Sequence, residues 1–109
     1  MFFKKMANKN KPNTKKTKQK LAKEMASLLS KIANPTRLMI LCQIAENAKN
    51  VSELHEMVEI SQSALSQHLA LLKKYKIIKD SKDGKFVFYS IKDKKIKEIL
   101  KFLTAICKK

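Results

Sequence analysis

A mostly α chain with a small β-hairpin, ordered helix-helix-helix-helix-hairpin-helix, is predicted by three observations. Apolar residues recur at helical spacing through most of residues 18 to 107. Asn34-Pro35 and Ser61 punctuate that pattern, and an Asp83-Gly84 pair is followed by alternating side chains. Within this order the stretch from Val51 to Ile78, VSELHEMVEISQSALSQHLALLKKYKII, reads as two short helices joined by a tight turn.

Length and charge bound the problem. The 109 residues allow one domain. Residues 1–17 hold Lys, Asn, Thr and one Pro with almost nothing to bury after Phe2 and Phe3, so a disordered basic arm is expected there and a folded domain over 18–109. A domain of about 90 residues buries a modest core and often enlarges it with a second subunit. Lys and Arg number 25 against 9 acids, a net charge of +16 that points to a polyanion partner. Nucleic acid comes first and an anionic membrane surface second. Eight of the lysines lie in residues 1–20 and the first acid is Glu24, so half of the net charge belongs to the leading tail and supports binding to any polyanion. Arg37 is the only arginine, which leaves sequence readout to Gln, Ser, Lys and DNA shape.

No apolar run approaches the roughly 18 residues of a spanning helix, and Met1 to Met6 lacks the apolar block of a signal peptide. A cytoplasmic protein with no membrane association is expected. Cys42 and Cys107 sit in no CxxC or Cys/His cluster, so a zinc site is not expected. In a reducing compartment they are either buried filler or a redox pair.

Taken in order, the first helix places Leu21, Met25, Leu28, Leu29 and Ile32 on one face and stops at Asn34-Pro35. Thr36 to Ala45 forms the next, with Leu38, Leu41, Cys42 and Ala45 on a common stripe. Ser52 has the residue type of an N-cap for a helix of roughly two turns that stops near Ile60. Ser61 caps the following helix, in which Leu65, Leu69 and Leu72 make a buried stripe. Its opposite face carries Gln62, Ser63, Ser66, Gln67, Lys73 and Lys74. Gln bonds base edges, Ser bonds bases or phosphates and Lys neutralises phosphate, so this face suits a major groove. An ordinary solvated face is the alternative. Ile77 and Ile78 begin a strand, and Phe86, Phe88 and Ser90 alternate with Val87, Tyr89 and Ile91 in the returning one. Lys82 and Lys85 tip this hairpin, which serves either as a wing beside the DNA backbone or as a simple closure of the core. Asp93 starts the last helix, whose stripe of Ile96, Ile99, Leu100, Leu103, Ile106 and Cys107 needs a cover from the first helix and a second subunit.

The runs NPTRLMIL at 34–41, VSEL at 51–54, SQSALSQHLALLKK at 61–74 and DGKFVFYSI at 83–91 resemble the ArsR/SmtB family of bacterial winged-helix repressors, over about residues 20 to 107. The resemblance implies a winged helix-turn-helix homodimer joined through its first and last helices. Its two recognition helices would enter successive major grooves of an imperfect inverted-repeat operator in double-stranded DNA. Gln62, Ser63, Ser66, Gln67 and His68 become the groove-facing set, with Lys73, Lys82 and Lys85 on phosphates.

The family's metal-sensing branch carries a CxC pair where this chain reads Ser52-Glu53-Leu54-His55-Glu56. After Asp93 there is no His, and Glu98 is the only acid. His55 and His68 alone make no ligand set, so no metal and no cofactor are expected. One thiol after NPTR and one near the chain end are similar to the BigR and SqrR type, which responds to reactive sulfur species. That likeness implies an operator released when the Cys42/Cys107 dithiol is modified by persulfide, polysulfide or oxidants. The alternative is a regulator with structural cysteines and another inducer, a metal ion or none. Cys107 has no neighbouring His base and no oxyanion loop, so an enzyme is not expected.

Overall fold

The computed structural model describes residues 14–108, as two units of which the second starts at Asn34. Most of the expected basic arm, residues 1–13, lies outside the described residues. The first unit contains α1 (Thr14–Ile32). This helix begins four residues before Lys18, because Thr14-Lys15-Lys16-Thr17 holds no Gly or Pro and lysine is a good helix former. Leu21, Met25 and Leu28 are half-buried, whereas Leu29 is 48% exposed.

The second unit opens with α2 (Pro35–Glu46), where Asn34 Oδ1 accepts from Arg37 N at 3.1 Å and Pro35 occupies the first turn, whose N–H needs no partner. Its buried residues are Ile40, Leu41 and Ile44, so the apolar arc is rotated from the expected one. Leu38, Cys42 and Ala45 are only half-buried. The cause is tertiary: α2 packs on both β3 and α5, and periodicity alone does not centre a helix between two neighbours.

The hairpin of the sequence reading is part of a three-stranded antiparallel sheet in the order β1-β3-β2. The additional strand is β1 (Lys49–Asn50), paired Lys49 to Tyr89 and Asn50 to Phe88. Two residues are too few to show alternation. Lys49 is buried, and its ammonium donates to Asn47 Oδ1 at 2.7 Å, which offsets part of the cost of burying a charge.

Asn50, and not Ser52, caps α3 (Val51–Met57). Its Oδ1 accepts from Glu53 N at 2.9 Å while Glu53 Oε1 accepts from Asn50 N at 2.9 Å, a reciprocal box that satisfies two donors. The spacing Asn50-x-x-Glu53 was the available signal, since Ser52 has no acid three residues on. A short link from Val58 leads to Ser61, whose Oγ accepts from Ala64 N at 3.1 Å and starts α4 (Gln62–Lys74) as expected. Leu65, Leu69 and Leu72 are buried beside Leu54 and Val58 of the preceding segment.

The end of α4 is tightly stopped. Ile77 N donates to Leu72 O and Lys76 N to Lys73 O, the two bonds of a Schellman motif, with Lys76 at φ 63°. Ile77 O then accepts from Lys92 N and Asp93 N, tying the start of the last helix to the end of α4. Strands β2 (Ile78–Asp83) and β3 (Phe86–Ile91) pair in register from Ile78–Ile91 to Asp83–Phe86. Gly84 at φ 65° leads the two-residue turn, the position a type II′ hairpin reserves for glycine. In α5 (Lys94–Cys107), Asp93 Oδ1 caps Lys95 N, Ile96 and Leu100 are buried, and Phe102, Leu103 and Ile106 remain exposed.

A side chain at positive φ costs roughly 1–2 kcal/mol, partly offset in the glycine variant by its larger chain entropy. Lys76→Gly is therefore expected to stabilise the fold by about 0.5–1 kcal/mol. Urea unfolding checks this as a higher midpoint at unchanged slope.

Candidate nucleic-acid interface

Burial of Leu65, Leu69 and Leu72 turns the other side of α4 to solvent. Gln62, Ser63, Ser66 and Gln67 are all exposed there, followed one and two turns on by Ala70, Lys73 and Lys74. The face offers amides and hydroxyls in its first half and ammonium groups in its second. Ala70, absent from the sequence-derived set, occupies the centre of this surface, where a methyl side chain suits contact with a thymine methyl. Its signal was its spacing of three and four residues from Gln67 and Ser66.

The sheet stands next to this helix, since α4 packs on β2. All of β2 after Ile78 is exposed, including Lys82, and Lys85 sits in the turn with its ammonium 5.6 Å from the centre of the Phe86 ring. Phe86 in turn tilts against Phe88 with ring centres 6.4 Å apart, which stiffens the hairpin beneath its lysines.

Two residues of the expected set differ from the rest. His68 is half-buried, and its Nδ1 accepts from Arg37 Nε at 3.4 Å, so it braces α4 against α2. The single arginine is thereby engaged with an interior neighbour of the exposed polar face. Lys73 is exposed, yet its ammonium donates to Asp80 Oδ2 of β2 at 2.7 Å. That hydrogen bond, with the attraction between the charges, raises the Lys73 pKa above its ordinary 10.5. The same bond holds the Asp80 carboxyl below its ordinary 3.8. The pair is accordingly in place well above 3.8 and through the neutral range. It is lost in acid as Asp80 takes a proton below 3.8, and in base only as Lys73 deprotonates above 10.5.

Cys42 and Cys107 are both free thiols, the first half-buried in α2 and the second exposed as the last residue of α5. Cys42 borders a cleft of about 440 Å³ together with Ala45, Glu46, Lys97, Leu100, Lys101 and Thr104. Cys107 lies outside that lining, three residues past Thr104. Among the described residues no three His, Cys, Asp or Glu side chains gather in a way that fits a metal ion, and His55 and His68 sit on different helices. No described helix is long and apolar enough to cross a membrane.

Residues 34–80 match the family described as bacterial regulatory protein, arsR family. The chain is 41% identical over 76 residues to the transcriptional activator HlyU of Vibrio cholerae, covering 70% of each chain. Among solved structures, reduced HlyU from Vibrio cholerae superposes with a TM-score of 0.79 at 34% identity, over 85% of this chain and 98% of that one. The transcriptional repressor BigR from Xylella fastidiosa superposes with a TM-score of 0.76 at 32% identity, over 84% and 94%.

Carbon-detected NMR of the Asp80 carboxyl is expected to give a titration midpoint below 3.8 that returns toward that value in Lys73→Gln. An unchanged midpoint in the variant contradicts the pairing.

Proposed function

We propose that this chain, which belongs to the arsR family of bacterial regulatory proteins, is a dimeric DNA-binding repressor whose operator is released when Cys42 and Cys107 react with reactive sulfur species. It is a transcriptional regulator and not an enzyme, as the relatives named above are regulators. The observation that carries the DNA reading is the exposed row Gln62, Ser63, Ser66 and Gln67 on a helix whose rotation is set by three buried leucines. In this reading α4 lies in a major groove of double-stranded DNA, with its amides on base edges. Lys82 and Lys85 of the hairpin rest near phosphates, and the lysines of residues 1–17 add sequence-independent attraction.

Two copies are needed for an imperfect inverted repeat. The surface available to join them is the exposed Phe102, Leu103 and Ile106 of α5, which completes itself by pairing with α1 and α5 of a second copy. A domain extending from α1 to the end of α5 then serves both binding and dimerisation.

The sulfur reading rests on a half-buried thiol beside a cleft wide enough for a small donor. The Cys42 thiolate attacks the outer sulfur of a persulfide R–S–SH, giving Cys42–S–SH and releasing R–S⁻. The Cys107 thiolate then attacks the inner sulfur of Cys42–S–SH, forming the disulfide and expelling HS⁻. A direct disulfide needs Cα atoms within about 7 Å, whereas a Cys107–S–S⁻ persulfide that attacks the inner sulfur of Cys42–S–SH expels HS⁻ and leaves a longer trisulfide, which favours persulfides over simple oxidants. A bridge between α2 and α5 shifts the helix that also joins the subunits, and with it the separation of the two α4 helices. A nearly complete switch requires roughly a 10⁴-fold fall in operator affinity.

Gel shift of an inverted-repeat operator is expected to show binding by the reduced protein and release after polysulfide, with Cys42→Ser and Cys107→Ser insensitive. Binding indifferent to polysulfide and peroxide alike overturns the sulfur reading and leaves structural cysteines. Gln62→Ala with Ser66→Ala is expected to weaken operator binding by at least about tenfold, the scale of one good base contact, with little effect on random duplex.

A further inference from the structure

The cleft beside Cys42 has walls of unlike charge. From α2 come Cys42 and Glu46, and from α5 come Lys97, Lys101 and Thr104 beside the buried Leu100. Lys97, Lys101 and Thr104 follow at spacings of four and three residues, so they share one side of α5. Among the described residues neither ammonium has a carboxylate partner, Glu46 included. Two cations and one anion leave the lining with a single net positive charge.

A volume of about 440 Å³ falls within the roughly 300–1,000 Å³ of small-molecule sites. Phe102 and Ile106 lie on the other side of α5, so a second copy that covers them leaves the cleft open. A donor that brings its outer sulfur to Cys42 must lay the rest of its length in this cleft. Carboxylates on that remainder are attracted by the lysine wall, and a donor without them gains nothing there. Lys97 and Lys101 are exposed, so the attraction is screened by salt and amounts to a severalfold selection among donors.

We propose that Lys97 and Lys101 are specificity-determining residues for the sulfur donor: they draw to Cys42 small persulfides that carry carboxylates, in preference to equally reactive persulfides that do not. In the transfer they serve, the Cys42 thiolate bonds to the outer sulfur of R–S–SH, and the sulfur–sulfur bond of the donor breaks with its electron pair leaving on R–S⁻. The lysines hold R and take no part in the bonds exchanged. This inference rests on the sulfur-responsive function proposed above.

The test uses the Cys107→Ser chain, in which Cys42 is the only thiol, and compares it with the same chain carrying Lys97→Gln and Lys101→Gln or Lys97→Arg and Lys101→Arg. Glutathione persulfide supplies the carboxylates, and its dimethyl ester is the donor without them. Mass spectrometry follows the gain of one sulfur on Cys42, and iodoacetamide, which is uncharged, measures the reactivity of the thiol itself. Thermal melts confirm that each variant is folded. The glutamine pair is expected to lower the rate ratio of free acid to ester roughly five- to tenfold at low salt, and added salt is expected to shrink that difference. The arginine pair is expected to keep the ratio, and the iodoacetamide rate is expected to stay within about twofold throughout. A rate ratio that is the same with lysine and with glutamine overturns the inference alone. So does a parallel slowing of both donors and iodoacetamide, which places the lysines' effect on the thiol. A Cys42 that reacts with iodoacetamide and takes sulfur from neither donor overturns the sulfur reading and this inference together.

Discussion

The rotation of α4 about its own axis is the constraint on which the remaining arrangement depends. Leu65, Leu69 and Leu72 are buried, and burying a leucine side chain is worth about 1.5–3 kcal/mol. Three such side chains outweigh any single polar contact on the other face. Gln62, Ser63, Ser66 and Gln67 are consequently exposed for a reason that lies on the opposite side of the helix. Ser61 defines where the helix starts, and the Schellman bonds at Leu72 and Lys73 define where it stops. The polar face thus has a set direction and a set length, which is what a surface needs if it is to read a groove in one register.

The helix also distributes its neighbours. Its far end passes at once into β2, and Ile77 O accepts from the backbone at the start of α5, so α4, the sheet and the last helix meet within a few residues. His68 joins α4 to α2 through Arg37, and Lys73 joins it to the sheet through Asp80. The polar cross-links run from one helix to each of its flanks. Cys42 and Cys107 lie on α2 and α5, two elements packed together, neither of which carries the polar face itself.

Much of this was legible in the residues. The helix order, the stops at Asn34-Pro35, the cap at Ser61, the leucine stripe and the turn at Gly84 all rest on local rules, and all of them hold. What was missed depends on contacts distant in sequence. The apolar arc of α2 is centred on Ile40 and Ile44 because two elements press on it, which leaves Leu38 half-buried despite its helical spacing. Strand β1 is too short to show a pattern and exists through its pairing with Tyr89 and Phe88. His68 and Lys73 had the right residue types and helix face for DNA, and only their partners 31 and seven residues away distinguish them from Gln67 and Lys74. The cap at Asn50 was different. Its acid at Glu53 was readable, and the serine two residues later drew attention from it.

Asn50 ends one element and begins another with no residue between them. Its backbone pairs across to Phe88 while its side chain closes the first turn of α3, so a contact spanning 38 residues and a contact spanning three share one hinge. Docking β1 onto β3 closes a loop that contains α3, α4 and β2, and the entropy of that closure is met by many contacts formed together. The pair of helices α3 and α4 and the sheet are therefore coupled through Asn50 as one folding unit. Neither is positioned to melt as a separate subdomain, and a substitution that loosens the sheet is felt at the start of α3 as a frayed helix.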